Sequence, residues 1–537
     1  MTTRSVTEPA GGPPAPDYPA TAGDPVEAQA EPAQRADRRW LPVGGQLLVL
    51  TAIMAVAALF RFRELGAVGF NSDEAVYTGT GASLAGNESM RSLFPIFRAH
   101  PLLLQLAISF TEHGRVTDWA PRAITAAVGV GTVLATYALG RKLYGPAAGL
   151  IAAGLLAVMP YHVVVSRQVL LDGPMTLLSL LVLYCIIRYS ESAALSWMLA
   201  AGAALGATAL CKETSIIFIG GLYAFFALTP SVRIRLRHVL AGLVVMGVVI
   251  VAFPLSLAAS GRANTGQHYL LWQLFRRANH GWSFYFQQVP PALGWLVLAF
   301  GLGGLVWLRR ENTWRERLLL CWALVPIAFF TVWPVKGYQY LLPLAPIAAI
   351  LAGRTIWRIG SASLLRGNRT RAVAVPVLLA LLVAGSLAVV SWPKLSGSGS
   401  TLAGTGGVAG GREAGHWLAA NVPTDATLLT IGPSMANILQ FYGGQRAYAL
   451  SVSPSPNGRN PSYLPVPNPD LSIRQGQFQY LVWDAYTARR TPSFASKMAE
   501  LVNRFHGIAV YTATSRTGPA GNPTPYPTVV IYQVRQR

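Results

Sequence analysis

Residues 35–75 read RADRRWLPVGGQLLVLTAIMAVAALFRFRELGAVGFNSDEA. Arg35, Arg38 and Arg39 precede an apolar run from Leu47 to Phe60, and the adjacent carboxylates Asp73 and Glu74 follow it. An apolar run with cations on its N-terminal flank predicts a membrane-spanning helix that starts in the cytoplasm. Similar runs recur near 45–62, 119–140, 146–161, 173–190, 195–211, 214–230, 237–258, 289–308, 316–333, 338–356 and 372–392. At about 20 apolar residues per span, they predict about eleven spans.

Whole-chain figures agree. Of the 537 residues, 52% are hydrophobic and 12% are charged, and mean hydropathy is +0.40. A soluble domain carries roughly 25% charge, so a mainly soluble enzyme and a mainly disordered chain are both excluded. Lys plus Arg is 43 and Asp plus Glu is 22, a net charge of +21. Little polar surface exists to present that excess to a nucleic acid. The cations gather instead in loops assigned to the cytoplasm: Arg141 and Lys142; Arg233, Arg235 and Arg237; Arg309, Arg310, Arg315 and Arg317; Arg354, Arg358, Arg366, Arg369 and Arg371. An odd span count then places the C-terminus outside. Cys185, Cys211 and Cys321 lie in or beside apolar runs, a pattern of neither disulfides nor zinc ligands.

Four segments follow from composition. Residues 1–38, rich in Pro, Ala, Gly and acids, read as a disordered cytoplasmic tail and not as a signal peptide. Residues 39–393 form the transmembrane domain, and 394–411 a Gly/Ser linker. Residues 412–537 have soluble character. Helical patterns at Glu413–Asn421, Ser434–Tyr442 and Phe494–Phe505 alternate there with strand-like runs at Thr427–Ile431, Tyr480–Trp483, Ile508–Thr512 and Thr528–Val534. These predict a small extracytoplasmic α/β domain. Gly129 and Gly131 fall in a span and are read as helix-packing positions.

Candidate chemistry collects at the predicted outer ends of the spans. Asp73 is placed to act as a general base toward a hydroxyl, with Glu74 as a second acid/base, a metal ligand or a positioning group. His100 closes the same long loop. Arg167 and Asp172 flank the start of another span and read either as a local ion pair or helix cap, or as groups facing a cavity. Lys212-Glu213 interrupts an apolar stretch, Arg276 lies in a loop near 259–288, and Lys336 precedes Tyr338 and Tyr340. Each has a plainer reading as an interfacial charge or belt aromatic. Together they place carboxylates and cations on one membrane face, which suits transfer from an anionic lipid: cations neutralise a departing phosphate and a carboxylate takes the acceptor proton.

The Asp-Glu pair after the first span, Arg167-x4-Asp172-x-Pro174, Lys212 after the fifth span and Lys336-x3-Tyr340-Leu-Leu-Pro343-Leu-x-Pro346 resemble the dolichyl-phosphate-mannose–protein mannosyltransferase and aminoarabinose lipid A transferase superfamily. The resemblance covers roughly residues 45–392. It implies a C-type membrane glycosyltransferase fold, a polyprenyl-phosphate-sugar donor, an acceptor that is a lipid, glycan or protein, a site outside the cytoplasm and inversion at the anomeric carbon. By motif, Asp73 is the catalytic base with Glu74 beside it. Arg167, Lys212 and Lys336 would contact the lipid phosphate, and Arg276, from the loop near 259–288, is a further phosphate-binding candidate. His100, Asp172, Tyr338 and Tyr340 shape the site. Several members carry Arg where Gln339 stands, so one phosphate contact is either missing or supplied elsewhere, by Lys336 or Arg276. Some members bind a divalent metal. The Ala/Gly/Arg/Pro bias points to a bacterial plasma membrane, and no nucleic acid is expected as a partner. The rival readings are a polytopic transporter of an anionic or sugar-linked substrate, disfavoured by the lack of an internal repeat, and an envelope scaffold, which leaves the outer-face charges unexplained.

Overall fold

The computed structural model describes residues 42–96, 102–112, 116–307, 314–360, 369–396, 408–515 and 526–534. The tail at 1–38, His100, Arg309, Arg310, Arg366 and most of the linker lie outside the described residues.

A helical bundle precedes a small sheet domain. Six described helices are long and apolar enough to cross a membrane: Val43–Phe62, Trp119–Tyr144, Asp172–Ser192, Leu236–Ala259, Tyr338–Gly360 and Thr370–Leu395. A seventh is the bent pair Pro146–Val158 and Pro160–Ser166, broken by 60°. The other runs form shorter helices, including Leu195–Cys211, Ile217–Leu228 and Trp295–Gly303, so length and composition do not reach eleven. Leu236–Ala259 turns Leu240, Val244, Val248 and Leu255 outward, as a lipid-facing helix must. Tyr338–Gly360 is instead largely enclosed. Leu195–Cys211 packs so closely on Leu236–Ala259 that a Cβ at Gly202 would overlap the Gly242 carbonyl. Gly129 is likewise a packing position, against Ser166 and Arg61.

The bend has a specific chemistry. Pro160 has no N–H for the Leu156 carbonyl, and the break frees the next carbonyls as well. The wholly buried Arg61 donates to Ala157 O at 2.8 Å and Leu156 O at 3.2 Å. It also lies 2.7 Å from His162 Nδ1. Ser391 donates to Val158 O at 2.6 Å. In hydrocarbon each such carbonyl needs a partner, and these side chains supply them.

The C-terminal domain is a five-stranded sheet in the order β2-β1-β3-β5-β4. The strands are β1 (Thr427–Thr430), β2 (Arg446–Ala449), β3 (Tyr480–Asp484), β4 (Ile508–Ser515) and β5 (Tyr526–Gln533). β2, β1 and β3 are parallel, and β5 and β4 add antiparallel. The four runs read from sequence are joined by β2, a four-residue edge strand (RAYA) too short and mixed to show alternation. The Pro433–Gly443 helix leaves the end of β1 and packs on the bundle: Phe441 meets Phe70 at 5.0 Å between ring centroids.

Candidate active site

Residues 70–75 lead into the Ser72–Leu84 helix. Asn71 is its N-cap and accepts from the Asp73 and Glu74 amides at 2.9 and 3.0 Å. Glu74 reaches back to the Asn71 amide at 3.0 Å, completing a capping box. The other contacts of Glu74 decide its character. Arg122 grips it in a fork, Nε to Oε1 and Nη2 to Oε2, both at 2.7 Å. The Val169 amide donates to Oε1 at 3.0 Å. Four hydrogen bonds fill the carboxylate's four lone-pair sites. Arg122 is equally committed: Nη1 donates to Leu65 O and Val68 O, and Nη2 also to Gly69 O. Glu74, read from sequence as a second acid/base, a metal ligand or a positioning group, is an anchor of the loop in this structure, which fits the last of the three. The spacing Asn71-x-x-Glu74 was the sequence signal for that role. Arg122, 48 residues away, gave none.

Asp73, one residue before Glu74, differs. It is half-buried, and among the described residues its carboxylate has no hydrogen-bond or ion-pair partner. Its pKa is raised to about 6. Burial is the main cause, reinforced by the charges of Asp172 and Glu74 and opposed by Lys212 and Arg276.

Lys212 sits where the chain breaks between Leu195–Cys211 and the following turn. Its ammonium bonds Asp172 Oδ1 at 2.7 Å and lies 3.9 Å from the centre of the Tyr340 ring. Asp172 therefore pairs with Lys212, 40 residues on, and not with its neighbour Arg167. Arg276 bonds Gln273 at 3.1 Å, and its charge reaches both Asp73 and Tyr340. Behind Tyr340 a small cavity is lined by Met175, Thr214, Phe218, Trp322, Phe330 and Leu344.

Two expected phosphate contacts are placed otherwise. Arg167 donates to the carbonyls of Phe60, Arg61, Arg63 and Leu395 at 3.2, 3.3, 2.7 and 3.0 Å. It closes the C-terminus of the first span, where a cation is favoured by unpaired carbonyls and the helix dipole. Lys336 is buried, donates to Trp333 O at 2.9 Å and exchanges backbone–side-chain bonds with Asn279. Its charge acts on His280. Tyr338 gives its carbonyl to Tyr161 at 2.6 Å, which fixes the turn before Tyr340. Among the described residues no group of three or more His, Cys, Asp or Glu side chains is arranged to hold a metal ion.

The C-terminal domain touches the same loop, a contact that composition gave no sign of. Tyr442 Oη accepts from the Phe70 amide at 2.8 Å and donates to Asp118 at 2.9 Å. Asn437 donates to Ser72 Oγ at 2.9 Å. Arg412 bonds Gly66 O at 2.7 Å and Asp118 at 3.1 Å. The bonded residues Gly66, Phe70 and Ser72 thus lead directly up to Asp73. Tyr442→Phe removes two of these bonds, one to a carboxylate. It is expected to cost about 1–3 kcal/mol in domain docking, read as earlier proteolysis between the domains, with a fall in activity.

The chain matches the dolichyl-phosphate-mannose-protein mannosyltransferase family over residues 99–257. It is 30% identical over 191 residues to an undecaprenyl phosphate-alpha-4-amino-4-deoxy-L-arabinose arabinosyl transferase of Pectobacterium carotovorum, covering 33% of this chain and 34% of that one. A putative mannosyltransferase of Bacillus subtilis is 28% identical over 158 residues, 29% of this chain and 23% of that protein. The chain spans about a third or less of the length of these curated relatives. In fold it is similar to ArnT from Cupriavidus metallidurans bound to undecaprenyl phosphate, with a TM-score of 0.64 and 16% identity over 91% of this chain and 98% of that chain. The Archaeoglobus fulgidus oligosaccharyltransferase in its apo form gives 0.59 and 14% over 91% of this chain and 75% of that one.

Proposed function

We propose that this chain, whose fold is that of the polyprenyl-phosphate-sugar-dependent C-type membrane glycosyltransferases, moves a sugar from a polyprenyl-phosphate donor to an acceptor hydroxyl at the outer face of a bacterial plasma membrane. The observation that carries the reading is the contrast among three neighbouring carboxylates. Glu74 and Asp172 are locked in ion pairs, while Asp73 is unbonded with a pKa of about 6. A group so placed accepts a proton near neutral pH.

In the proposed step the acceptor oxygen forms a bond to the anomeric carbon as its proton passes to Asp73. The bond from that carbon to the phosphate oxygen breaks, and polyprenyl phosphate leaves with the electron pair. Lys212 and Arg276 meet the charge that grows on the phosphate. A single displacement of this kind inverts the anomeric centre. Arg167, which donates to main-chain carbonyls, is assigned no part in this step.

The test is release and transfer of radiolabelled sugar from a polyprenyl-phosphate sugar by the full chain in vesicles. No transfer to any lipid, glycan or protein hydroxyl would end the proposal. The pH dependence follows from Asp73. The base works only when ionised, so activity is lost as pH falls and is expected to be halved near pH 6. Removing a neighbouring cation makes the carboxylate hold its proton more tightly and moves that limb to higher pH.

A further inference from the structure

Arg276 follows the Ala263–Leu274 helix by two residues. Among the helix's twelve residues, all described, Tyr269 alone is buried. Leu270, Leu274 and Phe275 face outward. Packing thus does little to fix where the helix ends. Hydrogen bonds do more. Arg276 Nη1 donates to Gln273 Oε1 at 3.1 Å, and Gln273 Nε2 donates to the Tyr269 hydroxyl at 2.6 Å and to Glu213 Oε1 at 3.3 Å. The Tyr269 hydroxyl donates to the same Glu213 oxygen at 3.0 Å. Glu213 directly follows Lys212, so the chain of bonds begins beside one cation of the site and ends on the other.

We infer that Glu213 is a positioning residue: through Tyr269 and Gln273 it sets where Arg276 stands relative to Lys212 and Asp73. The inference rests on the transferase reading above. Glu213 accepts from both Tyr269 and Gln273, and so ties an otherwise exposed segment to the chain beside Lys212. A guanidinium placed beforehand loses less freedom when the donor phosphate arrives. Glu213 touches no reacting atom in this scheme.

The test uses the full chain in proteoliposomes with two readouts, binding of polyprenyl phosphate without sugar and the pH profile of transfer. Gln273→Ala cuts the relay in the middle and leaves Lys212, Asp172 and Asp73 untouched. Its affinity for polyprenyl phosphate is expected to fall about tenfold, the loss typical of a displaced charge-assisted contact. The acid limb moves to higher pH, because Arg276 no longer favours ionised Asp73. The other charges acting on Asp73, from Lys212, Asp172 and Glu74, stay in place. Glu213→Ala gives the same pair of changes, and Glu213→Gln, which keeps an acceptor oxygen for Tyr269, restores most of the affinity. Gln273→Ala combined with Arg276→Ala binds no more weakly than Arg276→Ala alone. Additive losses in that double variant, or an unmoved acid limb in Gln273→Ala, overturn the inference. Failure of the transferase reading looks different: the wild type itself then transfers no sugar, while lipid binding still reports on the relay.

Discussion

Asp73→Asn is expected to lower sugar transfer by about 10²–10⁴-fold, the range for removing a general base, and to leave the protein folded. The amide has nearly the same size and shape as the carboxyl. The Asp73 side chain takes no part in capping its helix, which Asn71 and Glu74 accomplish, and no described residue loses a partner. Thermal unfolding in detergent is expected to stay within about 0.5 kcal/mol of the wild type. Donor binding is expected to persist, since the cations assigned to the phosphate are Lys212 and Arg276. Wild-type-like turnover by this variant would falsify the assignment of the base.

The second large effect is on stability. Arg122→Met leaves Glu74 a buried charge with its fork partner gone and three loop carbonyls unpaired. Breaking a buried pair in this way costs about 3–5 kcal/mol. The damage lands on residues 65–75, so transfer disappears along with the lost stability. The decisive comparison is the double variant Arg122→Met with Glu74→Met. With both charges gone the desolvation penalty goes too, and stability is expected to recover in part while activity does not. Stability measured by unfolding midpoint, set against transfer, separates the anchor from the chemistry. Equal recovery of both would show that the pair does not orient Asp73.

The site was legible in the sequence to the extent that it rests on local pattern. Apolar runs, the cation bias and alternating runs after residue 412 give a helical membrane domain with an α/β cap. The Asp-Glu pair marks the segment where a free carboxylate stands. What the sequence hid are partnerships over distance. Asp172 lies five residues from Arg167 and 40 from Lys212, and proximity in sequence favoured the wrong partner. Arg167 bonds main-chain carbonyls, which every residue has, so no composition or spacing could reveal that use. Glu74 was partly readable: a capping box needs only Asn71 and the third helical residue. The C-terminal domain's hold on Phe70 and Ser72 spans more than 360 residues and has no local signature.

Arg61 has a consequence for time. Its carbonyl partners, Leu156 and Ala157, come 95 and 96 residues later in the chain. At roughly 5–20 residues per second of synthesis, the cation waits on the order of 5–20 s before they exist. During that interval its long side chain has to reach for the lipid headgroups. The Val43–Phe62 helix is then expected to take its final depth only after the bent one has been made, which makes the order of synthesis part of how this protein assembles.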